Sequence, residues 1–177
     1  MSNLSRQVRA RAVQLAILTL ASAAPWASAQ SQGGGDLKAI TAHTLTMPKY
    51  KQYLDATINL ANAIVKSPEL AKRLDGYGDE SLADQVKLLE GLPQVRGAVT
   101  STGLTARDYV LTQAALLQSG MAYAMTKDGS VSADKMVEEG AASRANLEFY
   151  RKNEAEIGRL AKEAEARAPK VPKAAEE

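Results

Sequence analysis

His43 is the only histidine in this 177-residue sequence, and cysteine is absent. A histidine paired with a methionine could supply the two axial ligands of a haem held between helices. The available methionines are Met47, Met121, Met125 and Met136. Covalent attachment of the c type would require cysteines. A lone histidine before a helix start is more often a polar surface or strap residue, and methionines at helical spacing more often fill gaps in a core.

Other residue patterns that could perform chemistry are scarce. One histidine and no cysteine do not make a zinc site, and the paired Glu-x-x-His motifs of a di-iron bundle are missing. No G-x-S-x-G elbow occurs, and no glycine-rich phosphate loop follows a strand. The segment 75–80 (DGYGDE) is rich in oxygen ligands but lacks EF-hand spacing, so a polar turn is favoured. We therefore expect no catalytic residue, no metal site and no cofactor.

Tyrosines are the remaining candidates for a binding site. Their hydroxyls could orient a ligand in an apolar pocket between helices, or they could pack in an ordinary core with hydroxyls at its rim. The second interpretation is favoured. The residues are Tyr50, Tyr53, Tyr109, Tyr123 and Tyr150.

The elements that must position these side chains are helices. Alanine and leucine dominate and runs of β-branched residues are absent, which predicts an all-α fold: a single bundle-like domain of four main helices plus short ones. The first helix starts at Met47 and ends near Lys66. A third helix follows Ser81, and Pro93 ends or kinks it. The predicted cap residues are Thr46, Ser67, Ser81, Thr105, and either Ser132 or Asp134.

The segment from Ala106 to Met125 is apolar nearly all round, which predicts a helix at the centre of the bundle. Thr105 and Asp108 are three residues apart, which is the spacing of a helix N-cap and an acidic side chain that can bond back to it. Gly120 costs about 1 kcal/mol of helix propensity relative to alanine, so we expect another helix to approach closely there.

The domain organisation follows from these elements. A flexible lead-in or strap is expected at residues 30–46, where residues 36–46 could equally form a short helix. The helical domain covers residues 47–168, with a last helix from about Ala142 to Ala168. Pro169 and Pro172 end that helix, so residues 169–177 are predicted to be a disordered tail.

Residues 1–29 have the features of a cleaved secretory signal peptide. Three arginines precede a short apolar run at residues 12–24, and Ala27-Ser28-Ala29 is the small-x-small pattern that signal peptidase cuts. Cleavage is predicted between Ala29 and Gln30. The run is too short to span a bilayer, and no cysteine can carry a lipid. We expect a periplasmic or secreted protein without a membrane span.

Charge argues against nucleic acid as a partner. The full chain has 22 basic and 20 acidic residues, and three of the basic ones lie in the predicted signal peptide. The remaining 19 basic and 20 acidic residues give a formal charge near −1. The excess of positive charge therefore belongs to the discarded segment.

Three segments carry a resemblance: LTMPKYKQYLDA at residues 45–56, GLTARDYVLTQAALLQSGMAYA at 103–124 and NLEFYRKNEAEI at 146–157. They resemble an uncharacterised group of small exported bacterial proteins that are all-helical. The resemblance implies a helical fold and an extracytoplasmic location, and it transfers no catalytic residue.

These observations predict a non-enzymatic exported protein that binds a partner protein or a small apolar ligand. Two alternatives remain open. One is a haem-binding or electron-transfer bundle that uses His43. The other is an envelope chaperone-like protein that clamps unfolded chains with exposed apolar helix faces.

Overall fold

A computed structural model describes residues 34–169, which form eight α-helices and no strand, so the expected all-α fold class is confirmed. The predicted signal peptide, its junction at Ala29 and Gln30, the start of the lead-in and the tail from Lys170 onward lie outside the described residues. The helices are α1 Gly34–Ala42, α2 Met47–Lys66, α3 Glu69–Arg73, α4 Leu82–Gly91, α5 Pro93–Thr100, α6 Ala106–Lys127, α7 Ala133–Glu138 and α8 Arg144–Arg167.

Helix α6 is the centre of the bundle, as its apolar sequence predicts. It packs against α1, α2, α4, α5, α7 and α8. Its interior positions include Val110, which is 1% exposed, and Ala115, which is fully buried. One strip of the helix is nevertheless open, because Leu117 is 58% exposed and Met121 is 37% exposed. The apolar residues on every face of α6 predict complete burial, but the neighbouring helices leave this strip uncovered.

Hydroxyl caps begin most of the helices. The hydroxyl of each cap residue accepts a hydrogen bond from the backbone amide three residues further on, and each of these residues except Ser143 was predicted as a cap. These residues are Thr46, Ser81, Thr105, Ser132 and Ser143. Ser67 is the exception: it ends α2, with its amide donating to the carbonyls of Ala63 and Ile64, and α3 begins two residues later. Pro93 follows the end of α4 and opens α5, so these two helices together take the place of one long helix.

The N-terminal segment is more ordered than a flexible lead-in. It is helical from Gly34, which selects the short helix among the two forms that the sequence allows. Ile40 is 3% exposed and Leu45 is 4% exposed, and both belong to the main core. The Asp36 carboxylate accepts a hydrogen bond of 3.1 Å from the amide of Leu82. We call residues 34–45 the strap, because they pack across α6 and form hydrogen bonds with α4 and α8.

Helix α8 closes the bundle against α6, and Gly120 lies where the two meet. A Cβ at Gly120 would lie 2.9 Å from the Oη of Tyr150, so the expected close approach is confirmed. Glycine is tolerated within α6 because any side chain would displace the Tyr150 ring. No helix within residues 34–169 combines the length and the apolar character needed to cross a membrane.

Candidate functional site

His43 lies at the junction of the strap with α6. Only 9% of its surface is exposed, and its Nε2 shares a hydrogen bond of 3.0 Å with the Oγ1 of Thr112. Thr112 is itself fully buried. Of the two ordinary roles expected for a lone histidine, a surface position is therefore wrong and a strap position is correct. Packing of the strap carries the imidazole into the interior.

Asn146 on α8 holds the backbone on either side of Thr44. Its Nδ2 donates to the carbonyl of His43 at 2.9 Å, and its Oδ1 accepts from the amide of Leu45 at the same distance. The side chain is fully buried. Two backbone groups that cannot join a helix ladder thus find partners without water. This role of Asn146 was not predicted, although a carboxamide directly before the apolar stripe of α8 was a visible signal.

The surroundings of His43 favour its neutral form. Burial lowers the pKa of the imidazole below its ordinary value, and the positive charge of Lys49 lowers it further. The carboxylate of Asp108 acts in the opposite direction, with a smaller effect. The pKa of Asp108 is itself lowered, mainly because the Thr105 hydroxyl donates to its carboxylate. These surroundings therefore favour the uncharged imidazole at neutral pH.

The methionines considered as haem ligands are spread over different environments. Met136 packs in a second small cluster with Ala122, Ala142 and Leu147. Met121 is 37% exposed. The Nε2 of His43 already contacts Thr112. The Nε2 of His43 is thus occupied by a contact within the chain, and the haem hypothesis stays a prediction.

The tyrosines pack as core residues and not as the walls of a pocket. The Oη of Tyr50 donates to the carbonyl of Ile157 at 3.2 Å, and that of Tyr150 donates to the carbonyl of Leu116 at 2.6 Å. Burial raises the pKa of Tyr50 to about 12. Among the described residues, every buried side-chain nitrogen or oxygen has a hydrogen-bond partner. The phenols of Tyr50 and Tyr150 therefore serve packing, which is the interpretation that the sequence favours.

The acidic segment at residues 75–80 forms a short turn. Gly76 has a φ of 79°, and residues Tyr77–Asp79 make one turn of 3₁₀ helix. The Tyr77 hydroxyl, which the sequence pattern did not single out, donates to Gln113 on α6 at 3.2 Å. Within residues 34–169 no group of three or more His, Asp or Glu side chains is placed to hold a metal ion. The polar-turn interpretation accounts for this segment.

A polar groove lies between α2 and α5, and we call it the amide groove. Its volume is about 640 Å³, and it is open to solvent. Asn59 donates to the Ala98 carbonyl at 3.4 Å and to the Ser101 hydroxyl at 3.2 Å. The lining residues are Asn59, Asn62, Ala63, Lys66, Ser67, Gln94, Ala98 and Ser101.

Two carboxamides of the amide groove are uncommitted. Asn62 on α2 and Gln94 on α5 make no side-chain hydrogen bond to any described residue, and Gln94 is exposed. Lys66 is the one charged residue in the lining, and no aromatic ring contributes. The amide groove therefore offers neutral hydrogen-bond donors and acceptors with a weak positive bias at one end.

A second groove, between α2 and α8, differs in character. Its volume is about 610 Å³. Arg167 pairs with Asp55 at 3.0 Å, and Glu163 pairs with Arg159. Leu54 and Leu160 contribute an apolar floor. Most of its charges are thus already neutralised by neighbours, which leaves the amide groove as the better candidate site.

In comparisons with known proteins, no family model, no curated protein and no solved structure matches the chain.

Proposed function

We propose that this chain is a non-enzymatic exported protein whose amide groove binds an extended segment of a partner protein. The observation that carries the proposal is the pair of uncommitted carboxamides, Asn62 of α2 and Gln94 of α5, that line the same groove. Export rests on the signal-peptide pattern of residues 1–29.

The chemistry of the groove suits a peptide backbone. A carboxamide carries an N–H donor and a carbonyl acceptor, the same two groups as a peptide unit, so the two can pair reciprocally. An extended segment presents these groups in the open, whereas a helix uses them internally. The ammonium of Lys66 adds a preference for a segment with an acidic residue or a terminal carboxylate.

A small apolar ligand is the less favoured partner. The rings that could line its pocket are packed together instead, with Tyr53 and Tyr109 at a centroid separation of 5.2 Å. Large exposed apolar side chains within the described residues are Leu37, Val65, Leu117 and Met121, and they are distributed over three helices. This scatter also favours a defined groove over a broad apolar clamp for unfolded chains.

Selection from a displayed library of random twelve-residue peptides tests the proposal directly. We expect enriched peptides to bind the protein in calorimetry and to lose about tenfold or more in affinity to a variant carrying Asn62→Ala and Gln94→Ala, because two hydrogen bonds are removed. Thr100→Ala is the matched control, since Thr100 is an exposed polar residue on α5 outside the groove. Equal affinity for the double variant would contradict the proposal.

Export has its own test. Expressed in a bacterial host, the protein should appear outside the cytoplasm with Gln30 as its N-terminal residue, as read by N-terminal sequencing. The substitution Ala29→Arg should block cleavage and leave a longer precursor. A soluble cytoplasmic protein that retains residues 1–29 would refute this part of the proposal.

A further inference from the structure

The strap depends on polar contacts more than the helices around it do. Ile40 and Leu45 are its large buried apolar residues, whereas Leu37 is 40% exposed. The Thr41 hydroxyl contacts the Gly140 carbonyl at 3.1 Å, and Asp36 caps α4. Because two large apolar side chains and several polar contacts hold this segment, loss of one polar contact weakens its docking.

His43 occupies the point where the strap meets both α6 and α8. Its ring contacts Thr112 of α6, and its carbonyl accepts from Asn146 of α8. Thr112 and Asn146 are both fully buried, so the sides of His43 that face α6 and α8 are shielded from solvent. An imidazolium here would be a charge in a largely closed site.

The charged groups near the ring do not, on balance, stabilise a positive charge on it. Lys49 of α2 repels it, and its Nζ donates to the nearby Thr44 carbonyl at 3.4 Å. Asp108 of α6 attracts it, but that carboxylate already accepts from the Thr105 hydroxyl at 2.7 Å. From α8 the uncharged Asn146 bonds to the His43 backbone carbonyl and not to its ring.

We propose that His43 is a proton-operated latch: when its imidazole gains a proton in mildly acidic solution, docking of the strap on α6 and α8 weakens and its open state becomes more populated, while the other helices stay folded. Release would expose the surface of α6 around Thr112, which the strap covers at neutral pH. This inference concerns the strap alone and stands independently of the amide groove.

The direction of the effect follows from proton linkage. The docked strap favours neutral His43, so the released state binds the proton more tightly. Docking is therefore at full strength above the ordinary histidine pKa of about 6.5 and weakens as the pH falls below it. One proton limits the change to about tenfold per pH unit. Because the chain has a single histidine, no other side chain ordinarily titrates in this window.

Hydrogen exchange measured by mass spectrometry tests the latch. Protection factors, corrected for the intrinsic effect of pH, are compared at pH 7.5 and 5.5. We expect residues 34–45 to lose about tenfold in protection at pH 5.5, whereas α6 and α8 keep theirs. Equal protection of the strap at both pH values would overturn the proposal, and so would a simultaneous loss over all helices.

Two variants and one titration separate protonation from general weakening. His43→Gln keeps a polar side chain without a proton to gain, and its strap should show the same protection at both pH values. Asp36→Asn weakens the far end of the strap, so it should lower protection at both pH values and preserve the response to acid. If His43→Gln does not fold, proton NMR titration of the unmodified protein decides: a His43 pKa at or above 6.5 would refute the latch.

Discussion

The joint between the strap, α6 and α8 and the amide groove between α2 and α5 are both built from carboxamides and hydroxyls, but they use them in opposite ways. At the joint, Asn146 is fully buried and both ends of its side chain are hydrogen-bonded. In the groove, Asn62 and Gln94 meet solvent and bond to no described residue. The same functional group thus has its hydrogen bonds completed by the chain in one place and left to solvent in the other.

In a fold without recognisable motifs, completed and uncompleted hydrogen bonds distinguish structural polar residues from candidates for binding. A polar group whose hydrogen bonds are complete within the chain has nothing left to offer a partner. A group that lines a groove without an internal partner can be removed at little cost to folding. Substitutions at the two sites should therefore differ sharply in their effect on stability.

Asn146→Ala should have the largest effect. It leaves the His43 carbonyl and the Leu45 amide without partners in a buried site, which we expect to lower the free energy of unfolding by about 2–4 kcal/mol. Urea denaturation followed by circular dichroism measures the change. Asn62→Ala is the matched control and should leave the midpoint nearly unchanged. Similar losses in the two variants would remove the contrast between the sites.

Gly120→Leu should come next, with a loss of about 1–3 kcal/mol from overpacking against Tyr150. Gly158→Ala is its control, because Gly158 lies within α8 and a Cβ added there would have no neighbouring atom within 4 Å. That control should gain up to about 1 kcal/mol from helix propensity. If Gly120→Leu and the unchanged protein have the same melting temperature, α8 can move away from α6 at this point without loss of stability.

Thr105→Ala removes a polar group at the exposed start of α6 and should have an intermediate effect. Loss of the cap should cost about 1 kcal/mol. The pKa of Asp108 should also rise toward its ordinary value, because the Thr105 hydroxyl is the main cause of its lowering. NMR titration of the Asp108 carboxyl checks this shift, and Thr105→Ser should restore both properties.

The variant carrying both Asn62→Ala and Gln94→Ala should have the smallest effect on folding. Neither side chain bonds to a described residue, so we expect the free energy of unfolding to change by less than about 0.5 kcal/mol. Differential scanning calorimetry is sufficient for this comparison. A loss above about 1 kcal/mol would mean that the groove amides support the fold and are not reserved for a partner.

Local signals in the sequence were enough to predict the helices. Thr46, Ser81 and Thr105 mark helix starts because a cap interacts only with residues a few positions away. The close approach of another helix to Gly120 was also predictable. A glycine inside a helix costs helix propensity, and a tightly packed neighbour explains why no larger residue is present.

The environment of His43 was not predictable in the same way. Its partners Thr112 and Asn146 lie 69 and 103 residues further along the chain, and no local pattern encodes such contacts. The amide groove has the same origin, because it depends on the spacing between α2 and α5. Leu117 and Met121 show the converse error, in which an apolar residue is left uncovered by the arrangement of its neighbours.

The bond between Asn146 and the strap also sets the order in which the chain can fold. It joins Leu45 to a residue 101 positions later, so a very long loop must close before this contact forms. The strap precedes its anchor on α8 in the chain, so it is made before the segment that it binds. Residues 34–45 must therefore wait for the rest of the domain, and their docking is a late step that reports completion of the fold.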